Sequence, residues 1–302
     1  TNVVVKGFNF IGRHLDYATG KDNSKQVAVL FTGCTGGGVF NCTAEKHLVS
    51  YYINTGCSEL KVSDCDASTC RTGVEVTGSD DIDVKRCNVR DARYYPDGGS
   101  SELKTSGYSF LANLSINVRF SDCYSLRAAS DCYRVQHDTD IETNVSILNC
   151  VSKDPRRESL SIRDISCGNI SVNGLYATGI GDPAVWTGGD YLEPYTAGTV
   201  TGAVINKVTN LSVTNCQFLG KADMEYAILI IGDCATVSFD NITSNAPSGE
   251  GITVQSPYDV TGLSINNCNL TAGLSTGDYV ISLGSGVVAP IVNNNFLYGG
   301  VV

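Results

Sequence analysis

The chain has 302 residues, of which 42% are hydrophobic and 17% charged, and it contains 32 glycines. This is the composition of a folded protein with many turns, and no apolar run approaches the ~20 residues of a membrane-spanning helix. The formal net charge of −10 disfavours a nucleic-acid-binding protein, because such proteins neutralise phosphates with basic side chains. We therefore expect neither a membrane nor a nucleic acid among the partners.

A six-residue segment recurs eleven times along the chain. Its first and third positions are almost always apolar and its second is usually polar, which is the pattern of a strand with one buried face. The fifth position is Gly, Asn or Asp in every copy except the one with Arg86, which predicts a turn residue with left-handed backbone. In chain order the copies are "VVVKGF", "GGVFNC", "LKVSDC", "IDVKRC", "VRFSDC", "VSILNC", "ISVNGL", "LSVTNC", "VSFDNI", "LSINNC" and "PIVNNN".

The sixth position of the segment is a cysteine in seven copies. A second β run, such as "VAVLF" or "YAILII", lies in most of the intervals between copies. Coils of two or three short strands, stacked ~4.8 Å apart, predict an all-β fold, a parallel β-helix (β-solenoid) of about eleven coils. The cysteines then form a buried column of reduced thiols. Their spacing does not match a zinc site, so we expect no metal and no cofactor.

Over essentially its whole length the repeat resembles the right-handed parallel β-helices of the pectin-lyase-like superfamily. It is most similar to the body of bacteriophage tailspikes and polysaccharide depolymerases, because it has Asn-rich turns and many unpaired cysteines. The resemblance implies one β-helix domain over residues 1–302, a homotrimer, and a location on the virion surface (tail) or outside a cell. Because the sequence begins at Thr1, we expect a fragment or processed part of a longer chain. The motifs of polygalacturonases and mannuronan epimerases are missing, apart from an ambiguous Asp80-Asp81 pair.

Three intervals between sixth positions are long, at 34, 36 and 41 residues after Phe8, Cys87 and Leu175. Each insertion follows the repeated strand by a few residues, so all three should leave the same corner of the coil and border a groove. The third insertion holds the only tryptophan, Trp186. Aromatic rings beside carboxylates suit a sugar-binding cleft, although the rings have the alternative role of fixing a long loop to the body. The other candidates in these insertions are Tyr94, Tyr95, Tyr191, Asp182, Asp190 and Glu193.

Two coils of normal length between the second and third insertions form the expected floor of the groove. Strand alternation places Arg134 of "YRVQHDTD" and Arg163 of "DPRRESLSIRD" on the outer face, where we expect them to stack on adjacent coils. Together with Arg156 and Arg157 they predict a positive patch for a carboxylate- or phosphate-bearing glycan. The alternative is that these arginines pair with neighbouring acids for structural reasons.

Two chemistries fit such a groove. Hydrolysis of a glycosidic bond needs two carboxyl groups, which lie ~5 Å apart in retaining enzymes and ~6.5 to 9.5 Å apart in inverting ones. Lyase or epimerase action on a uronate instead needs a cation for the carboxylate and a base near C5, for which the four arginines and His137 are candidates. The candidate acids for hydrolysis are Glu158, Asp182, Asp154, Asp138, Asp190 and Glu193.

A third hypothesis is a non-catalytic glycan-binding adhesin or structural spike, which also uses aromatic and acidic residues. The two longest insertions, the only tryptophan and the densest set of arginines and acids converge on one flank of the predicted β-helix. On this basis we expect an endo-acting glycoside hydrolase, a depolymerase, with a bacterial surface polysaccharide as its partner.

Overall fold

The computed structural model describes residues 2–12, 27–93, 107–137, 143–165, 168–186, 200–273 and 279–299. Most of these residues lie in short strands, because the alternating apolar positions of the repeat each bury one strand face. Each coil contributes strands to three parallel sheets, which we call the first, second and third sheet in the order that the chain visits them. Strand β21 continues from the third sheet into the first and so joins these two sheets.

The strands are numbered along the chain. The first sheet contains β1 (Val3–Lys6), β4 (Thr35–Phe40), β7 (Ser58–Ser63), β10 (Asp80–Lys85), β13 (Ile116–Ser121), β16 (Thr143–Leu148), β19 (Gly168–Asn173), β21 (Val200–Thr214), β24 (Cys234–Asp240), β27 (Val260–Thr261), β28 (Ser264–Asn266), β31 (Val287–Val288) and β32 (Ile291–Asn293). The second sheet contains β2 (Asn9–Ile11), β5 (Thr43–Glu45), β8 (Asp66–Cys70), β11 (Asn88–Ala92), β14 (Tyr124–Ala128), β17 (Val151–Lys153), β20 (Tyr176–Ile180), β22 (Gln217–Gly220), β25 (Thr243–Asn245), β29 (Asn269–Thr271) and β33 (Phe296–Tyr298). Besides β21, the third sheet contains β3 (Val27–Thr32), β6 (Val49–Asn54), β9 (Thr72–Thr77), β12 (Tyr108–Asn113), β15 (Asp131–Gln136), β18 (Glu158–Ile165), β23 (Met224–Ile230), β26 (Glu250–Val254) and β30 (Ile281–Leu283). One short helix, α1 (Pro183–Trp186), follows β20.

The coils stack in register, which confirms the predicted β-solenoid. For example, Val84 of β10 pairs with Val62 of β7 on one side and with Phe120 of β13 on the other. The number of turns, about 9, is slightly lower than the expected eleven coils. The end coils are incomplete, since among the described residues the last coil adds β31 to β33 but no strand of the third sheet.

The sixth positions of the nine inner copies form one buried column, whereas Phe8 in the first copy is exposed and Asn295 in the last is only partly buried. Each column thiol lies near the carbonyl of the residue two positions earlier and near a second carbonyl in the preceding coil. The Cys123 thiol, for example, donates to the carbonyl oxygens of Ser121 at 3.3 Å and Val84 at 3.6 Å. A small apolar side chain with a weak donor therefore suits this position. The column cysteines are all buried and free, and they are Cys42, Cys65, Cys87, Cys123, Cys150, Cys216 and Cys268.

The fifth position of the repeat adopts the predicted left-handed backbone in every copy. Its φ ranges from 49° at Asn41 to 73° at Gly7, and it is 50° even at Arg86. Left-handed backbone turns the chain sharply from the first sheet towards the second, and Gly, Asn and Asp tolerate it best. The exception, Arg86, pairs through its guanidinium with Asp64 of the preceding coil at 2.6 Å.

Side-chain amides hydrogen bond from coil to coil at this turn. Asn241 donates to the Asn215 side chain at 2.8 Å, and Asn267 donates to Asp240 at 2.8 Å. A second series runs along the other end of the first sheet, where Asn144 donates to Asn117 at 3.2 Å. These amide series line up the coils at both ends of the first-sheet strands.

The insertions share one corner of the coil. Residues 13–26, 94–106 and 187–199 lie outside the described residues, but their flanks are described. In each case the chain leaves after a strand of the second sheet (β2, β11 or β20) and returns to a strand of the third sheet (β3, β12 or β21). All three insertions thus join the coil directly before the third-sheet strand of that coil. Among the described residues no helix is long and apolar enough to span a membrane.

We predict that Asn149, where φ is 50°, accepts glycine but not valine. Asn149→Val should lower the free energy of unfolding by ~1–2 kcal/mol relative to Asn149→Gly, because a β-branched side chain disfavours left-handed backbone. The measurement is urea denaturation. Ser146, on the outer face of β16, is the matched control, since valine should be more stable than glycine there. Equal stabilities of the two Asn149 variants would contradict the prediction.

Candidate functional site

Strands β15 and β18 begin directly after the corner at which the insertions leave. Asp131 opens β15 and Glu158 opens β18, and the two residues pair in register on adjacent coils. The neighbouring strands on either side are β12 and β21, which are the strands that follow the second and third insertions. The acid pair, defined as Asp131 and Glu158, therefore lies between these two insertions along the axis.

Two consecutive inward residues turn the acid pair to the outer face of the third sheet. Cys132 and Tyr133 are both buried, and the Tyr133 hydroxyl donates to backbone carbonyls in the interior at 2.9 and 3.1 Å. In β18 the same two positions are held by the buried residues Ser159 and Leu160. Strict alternation would point Asp131 inward, on the same side as Tyr133. Because Cys132 and Tyr133 both point inward, Asp131 points outward, as Arg134 does.

Each member of the acid pair is bound by arginine. The Asp131 carboxylate lies 3.0 Å from Arg134 Nη1. Glu158 lies 3.0 and 3.1 Å from Arg163 Nη2 and 3.7 Å from Arg157 Nη2. The two residues face each other on adjacent strands, so each carboxylate feels the charge of the other. The solvent-exposed fraction is 0% for Asp131 and 2% for Glu158.

Burial and, next, the neighbouring Asp131 charge raise the pKa of Glu158 from 4.5 to about 7. The positive charges of Arg163 and Arg157 act in the opposite direction, and desolvation outweighs them. With this pKa, Glu158 is protonated in about half of the molecules at pH 7. A carboxyl group that is protonated near pH 7 is able to act as a general acid.

Arg134 and Arg163 are each held by specific neighbouring side chains. Arg134 lies 5.0 Å from the centre of the Tyr108 ring and donates to Gln136 Oε1 at 2.6 and 2.9 Å. Arg163 donates to Ser161 Oγ at 2.8 Å. The expected direct stacking of Arg134 on Arg163 is wrong, because the strand register pairs Arg134 with Ser161 and Gln136 with Arg163. The two guanidinium groups therefore bind different carboxylates.

A pocket of about 310 Å³ opens on the outer face of the third sheet beside Glu158. Its volume is at the lower end of the ~300–1,000 Å³ range of small-molecule sites. The floor is apolar, and the rim carries two guanidinium groups, one carboxyl group, one phenol and one amide. The lining residues are Arg157, Glu158, Arg163, Thr201, Val204, Tyr226, Leu229, Ile231 and Gln255.

Asp154 and Asp182 belong to a different cluster. Asp154 follows β17, before the corner, and its pKa is raised by burial and by the charge of Asp182. Asp182 accepts a hydrogen bond from the Ala184 N–H at 3.0 Å and so caps the start of α1. Neither acid lines the pocket beside Glu158.

Two basic candidates are largely buried. The exposed fraction is 7% for Arg156 and 1% for His137. The His137 backbone N–H donates to the Arg163 carbonyl at 3.2 Å, so this residue ends the third-sheet strand. His137 is therefore poorly placed to act as the exposed base of a uronate lyase or epimerase.

Six of the remaining candidates lie outside the described residues: Asp138, Asp190, Glu193, Tyr94, Tyr95 and Tyr191. Trp186 ends α1, and its side chain is also outside the described part of the chain. Within the described ranges, no group of three or more His, Cys, Asp or Glu residues is placed to hold a metal ion.

Sequence reasoning missed Asp131 and Tyr108 beside the arginines and six of the residues that line the pocket: Thr201, Val204, Tyr226, Leu229, Ile231 and Gln255. The signal for Asp131 was present in the runs "SDCYRVQ" and "RESLSIR", which align Asp131 with Glu158 when Tyr133 is matched to Leu160. Strand alternation alone argued against this alignment, since it makes Asp131 an inward residue. Only the two consecutive inward positions bring the carboxylates together.

No protein-family model matches the chain, and no curated protein is significantly similar to it in sequence. Solved structures nevertheless share its fold. The pre-mature gene product 12 of bacteriophage phi29 superposes with a TM-score of 0.79 and 15% identity over 99% of this chain. The chain spans 41% of the length of that phage protein.

Two further structures align over almost the whole chain. The surface adhesin PfbA of Streptococcus pneumoniae has a TM-score of 0.57 and 10% identity, with 100% of this chain and 85% of the adhesin covered. The polygalacturonase of Erwinia carotovora ssp. carotovora has a TM-score of 0.50 and 12% identity, with 97% and 82% covered. At these identities the likeness concerns the fold, and it confirms the predicted parallel β-helix.

We predict that Glu158 makes stability depend on pH. Its pKa is about 7 in the folded protein and 4.5 in the unfolded chain, so between these values only the folded protein holds the proton. The free energy of unfolding should therefore fall as the pH rises from 4.5 to 7. Urea denaturation of wild type and Glu158→Gln should diverge by about 3 kcal/mol over this range, because glutamine does not ionise. Parallel pH profiles would contradict this prediction.

Proposed function

We propose that this β-helix is a carbohydrate-active protein, an endo-acting glycoside hydrolase that shortens a bacterial surface polysaccharide. The observation that carries the proposal is Glu158, a buried carboxyl group with a pKa of about 7 that lines a pocket extending from β18 across β21 and β23 to Gln255. General acids of glycosidases need a raised pKa so that they are protonated at working pH. A structural role alone does not require the group to reach a pocket.

In this mechanism Glu158 donates its proton to the oxygen of the scissile glycosidic bond. Asp131 is a positioning residue, because its charge adds to the effect of burial in raising the pKa of Glu158, while Arg134 pairs with Asp131 itself. Arg163 holds the Glu158 side chain from the opposite side at 3.0 Å. Glu158 is thus the carboxyl group that both lines the pocket and has a raised pKa.

Hydrolysis needs a second carboxylate as base or nucleophile. No other carboxylate lines the described part of the pocket. Two of the acids expected from the sequence, Asp190 and Glu193, belong to residues 187–199. This insertion precedes β21, in which Thr201 pairs with Glu158. We therefore propose that this insertion supplies the second carboxylate, and Asp138 and Asp182 become the weaker candidates.

The rest of the pocket has the chemistry of a sugar site. Tyr226 presents a phenol and Gln255 an amide, both of which bind hydroxyl groups. Val204 and Leu229 form an apolar floor on which the less polar face of a pyranose packs. The insertions expected to border the groove leave the coil on the side where Glu158 begins its strand.

We predict that Glu158→Gln lowers the rate of cleavage 10²–10⁴-fold without loss of folding, because the amide cannot donate the acid proton. The assay incubates the protein with bacterial surface polysaccharides and follows reducing ends and product size. Glu75→Gln is the matched control, since burial also raises the pKa of Glu75 but this residue does not line the pocket. Equal rates for wild type and both variants would refute Glu158 as the acid.

The same assay separates the two other candidate activities. A lyase would yield products that absorb as unsaturated uronates, but the burial of His137 does not favour this reading. A non-catalytic adhesin would bind the polysaccharide without shortening it. One observation favours the adhesin, namely that both acids already have arginine partners within the protein, an arrangement that is stable without any reaction.

We also propose that the protein acts as a homotrimer at a virion surface or in another extracellular location. Support comes from the outer face of the first sheet, where Ser146, Ser171, Ser212 and Ser238 pair in register on successive coils. This uncharged stripe lets copies of an acidic chain approach without repulsion between like charges. Native mass measurement should report three chains, and Ser212→Glu should shift the mass to one chain. A wild-type monomer would overturn the proposed assembly.

A further inference from the structure

One hydroxyl group of the pocket beside Glu158 has no partner within the protein. Thr201 lines this pocket and pairs in register with Glu158 on one side and with Tyr226 on the other. Thr201 is fully buried, and its Oγ1 atom has no hydrogen-bond partner. A buried hydroxyl group without a partner has lost its hydrogen bonds to water, which is unfavourable. A hydroxyl group of a ligand in the pocket would restore one such bond.

Three aliphatic side chains lie beside this polar row. Val204 and Leu229 pair in register on adjacent coils, three residues after Thr201 and Tyr226. Ile231 is the next residue of the lining after Leu229. Val204 and Leu229 are buried, yet neither belongs to the hydrophobic core inside the coils. None of the three side chains has a donor or an acceptor, so a substituent that packs on them has to be apolar.

The charged groups around the pocket compensate one another. Both arginines of the lining contact Glu158, Arg157 at 3.7 Å and Arg163 at 3.0 Å. Burial raises the pKa of Tyr226, and so do the charges of two nearby acids, Glu250 and Glu225. The arginines are therefore matched by acids, and the pocket offers no excess of positive charge to an acidic sugar. An uncharged sugar suits it better.

We infer that the pocket binds a 6-deoxyhexose, an uncharged sugar whose C6 is a methyl group. This methyl group packs on Val204, Leu229 and Ile231, and a ring hydroxyl group hydrogen bonds to Thr201. A hexose carries a hydroxyl group on C6, which would be left unpaired on the apolar floor and would lower the affinity. Thr201 thus binds the sugar ring, and the three aliphatic side chains select the substituent at C6.

This inference rests on the proposed function only in placing a glycan in this pocket, and it names the class of that sugar. It depends neither on the protonation state of Glu158 nor on the source of the second carboxylate. Because binding and cleavage are measured separately, the two proposals fail separately.

The test is titration calorimetry with pairs of sugars that differ only at C6. L-fucose is compared with L-galactose, L-rhamnose with L-mannose, and D-fucose with D-galactose, because the first sugar of each pair is the 6-deoxy form of the second. In at least one pair the 6-deoxy sugar should bind about tenfold more tightly. D-glucuronate and N-acetyl-D-glucosamine represent two other classes of sugar, and both should bind more weakly than the preferred 6-deoxy sugar.

Two substitutions that keep the side-chain shape separate the two contacts. Thr201→Val removes the hydroxyl group, so both sugars of the preferred pair should lose about tenfold in affinity while their ratio stays the same. Val204→Thr adds a hydroxyl group to the floor, so the preference for the 6-deoxy sugar should fall to about threefold or less. Both variants keep a β-branched residue in a strand. A folding defect in one of them leaves the other as a test.

Each variant has a matched control. Thr72 is equivalent to Thr201 by strand register and is also buried, but it does not line the pocket. Thr72→Val should therefore bind the sugars as wild type does. Val151 lies in the second sheet and does not line the pocket either, so Val151→Thr is the control for Val204→Thr.

The inference would be overturned if no 6-deoxy sugar bound, or if each hexose bound as tightly as its 6-deoxy form. Tighter binding of D-glucuronate or N-acetyl-D-glucosamine would also overturn it, as would wild-type affinities and preference in both Thr201→Val and Val204→Thr. Binding of a 6-deoxy sugar with the expected variant effects, but without cleavage of any polysaccharide, would support the inference and refute hydrolysis. Cleavage of a polysaccharide without binding of any 6-deoxy sugar would do the reverse.

Discussion

The structure depends on parallel backbone pairing between successive coils. Each strand hydrogen bonds to the equivalent strand of the next coil, so like residues are forced to lie over like residues. Isolated coils cannot bury their apolar faces, and stability comes from the interfaces between neighbours. This explains both the cysteine column, whose members fill equivalent space, and the left-handed turn that recurs at φ of 49° to 73°.

The same constraint assembles the site. Carboxylates on adjacent coils are held ~4.8 Å apart by the strand spacing, whatever their charge. Asp131 and Glu158 therefore remain neighbours although two ionised acids repel, and protonation of Glu158 relieves this repulsion. The arginines come from later outward positions of the same strands, Arg134 at the first such position of β15 and Arg163 at the second of β18. The solenoid thus imposes the geometry, and local chemistry sets the protonation state.

Burial of this network has an energetic cost that a purely structural role would not need. Taking charged groups out of water costs several kcal/mol each, and apolar residues of similar volume often stabilise a protein as well as a buried ion pair does. The other outward ion pairs, such as Arg119 with Asp83, are largely exposed and carry no such cost. The buried acids occur where the coil enters the third sheet between two insertions, and this placement supports a functional reason for keeping them.

The sequence by itself determined the architecture, because the period of two recurs along the chain, the Gly, Asn or Asp turn residue recurs in ten of the eleven copies and the cysteine in seven, and each is a local signal. It also placed Glu158, Arg157 and Arg163 on one flank, since the insertions mark the corner at which repeats are interrupted. Only the tertiary structure decided which acids meet. Cys132 and Tyr133 both point inward against the alternation, which turns Asp131 outward, and the register then offsets Arg134 from Arg163. The same two buried positions recur at Ser109–Phe110 and Ser159–Leu160 in the neighbouring strands, so this step belongs to the packing of stacked coils and contradicts the alternation expected of a single strand.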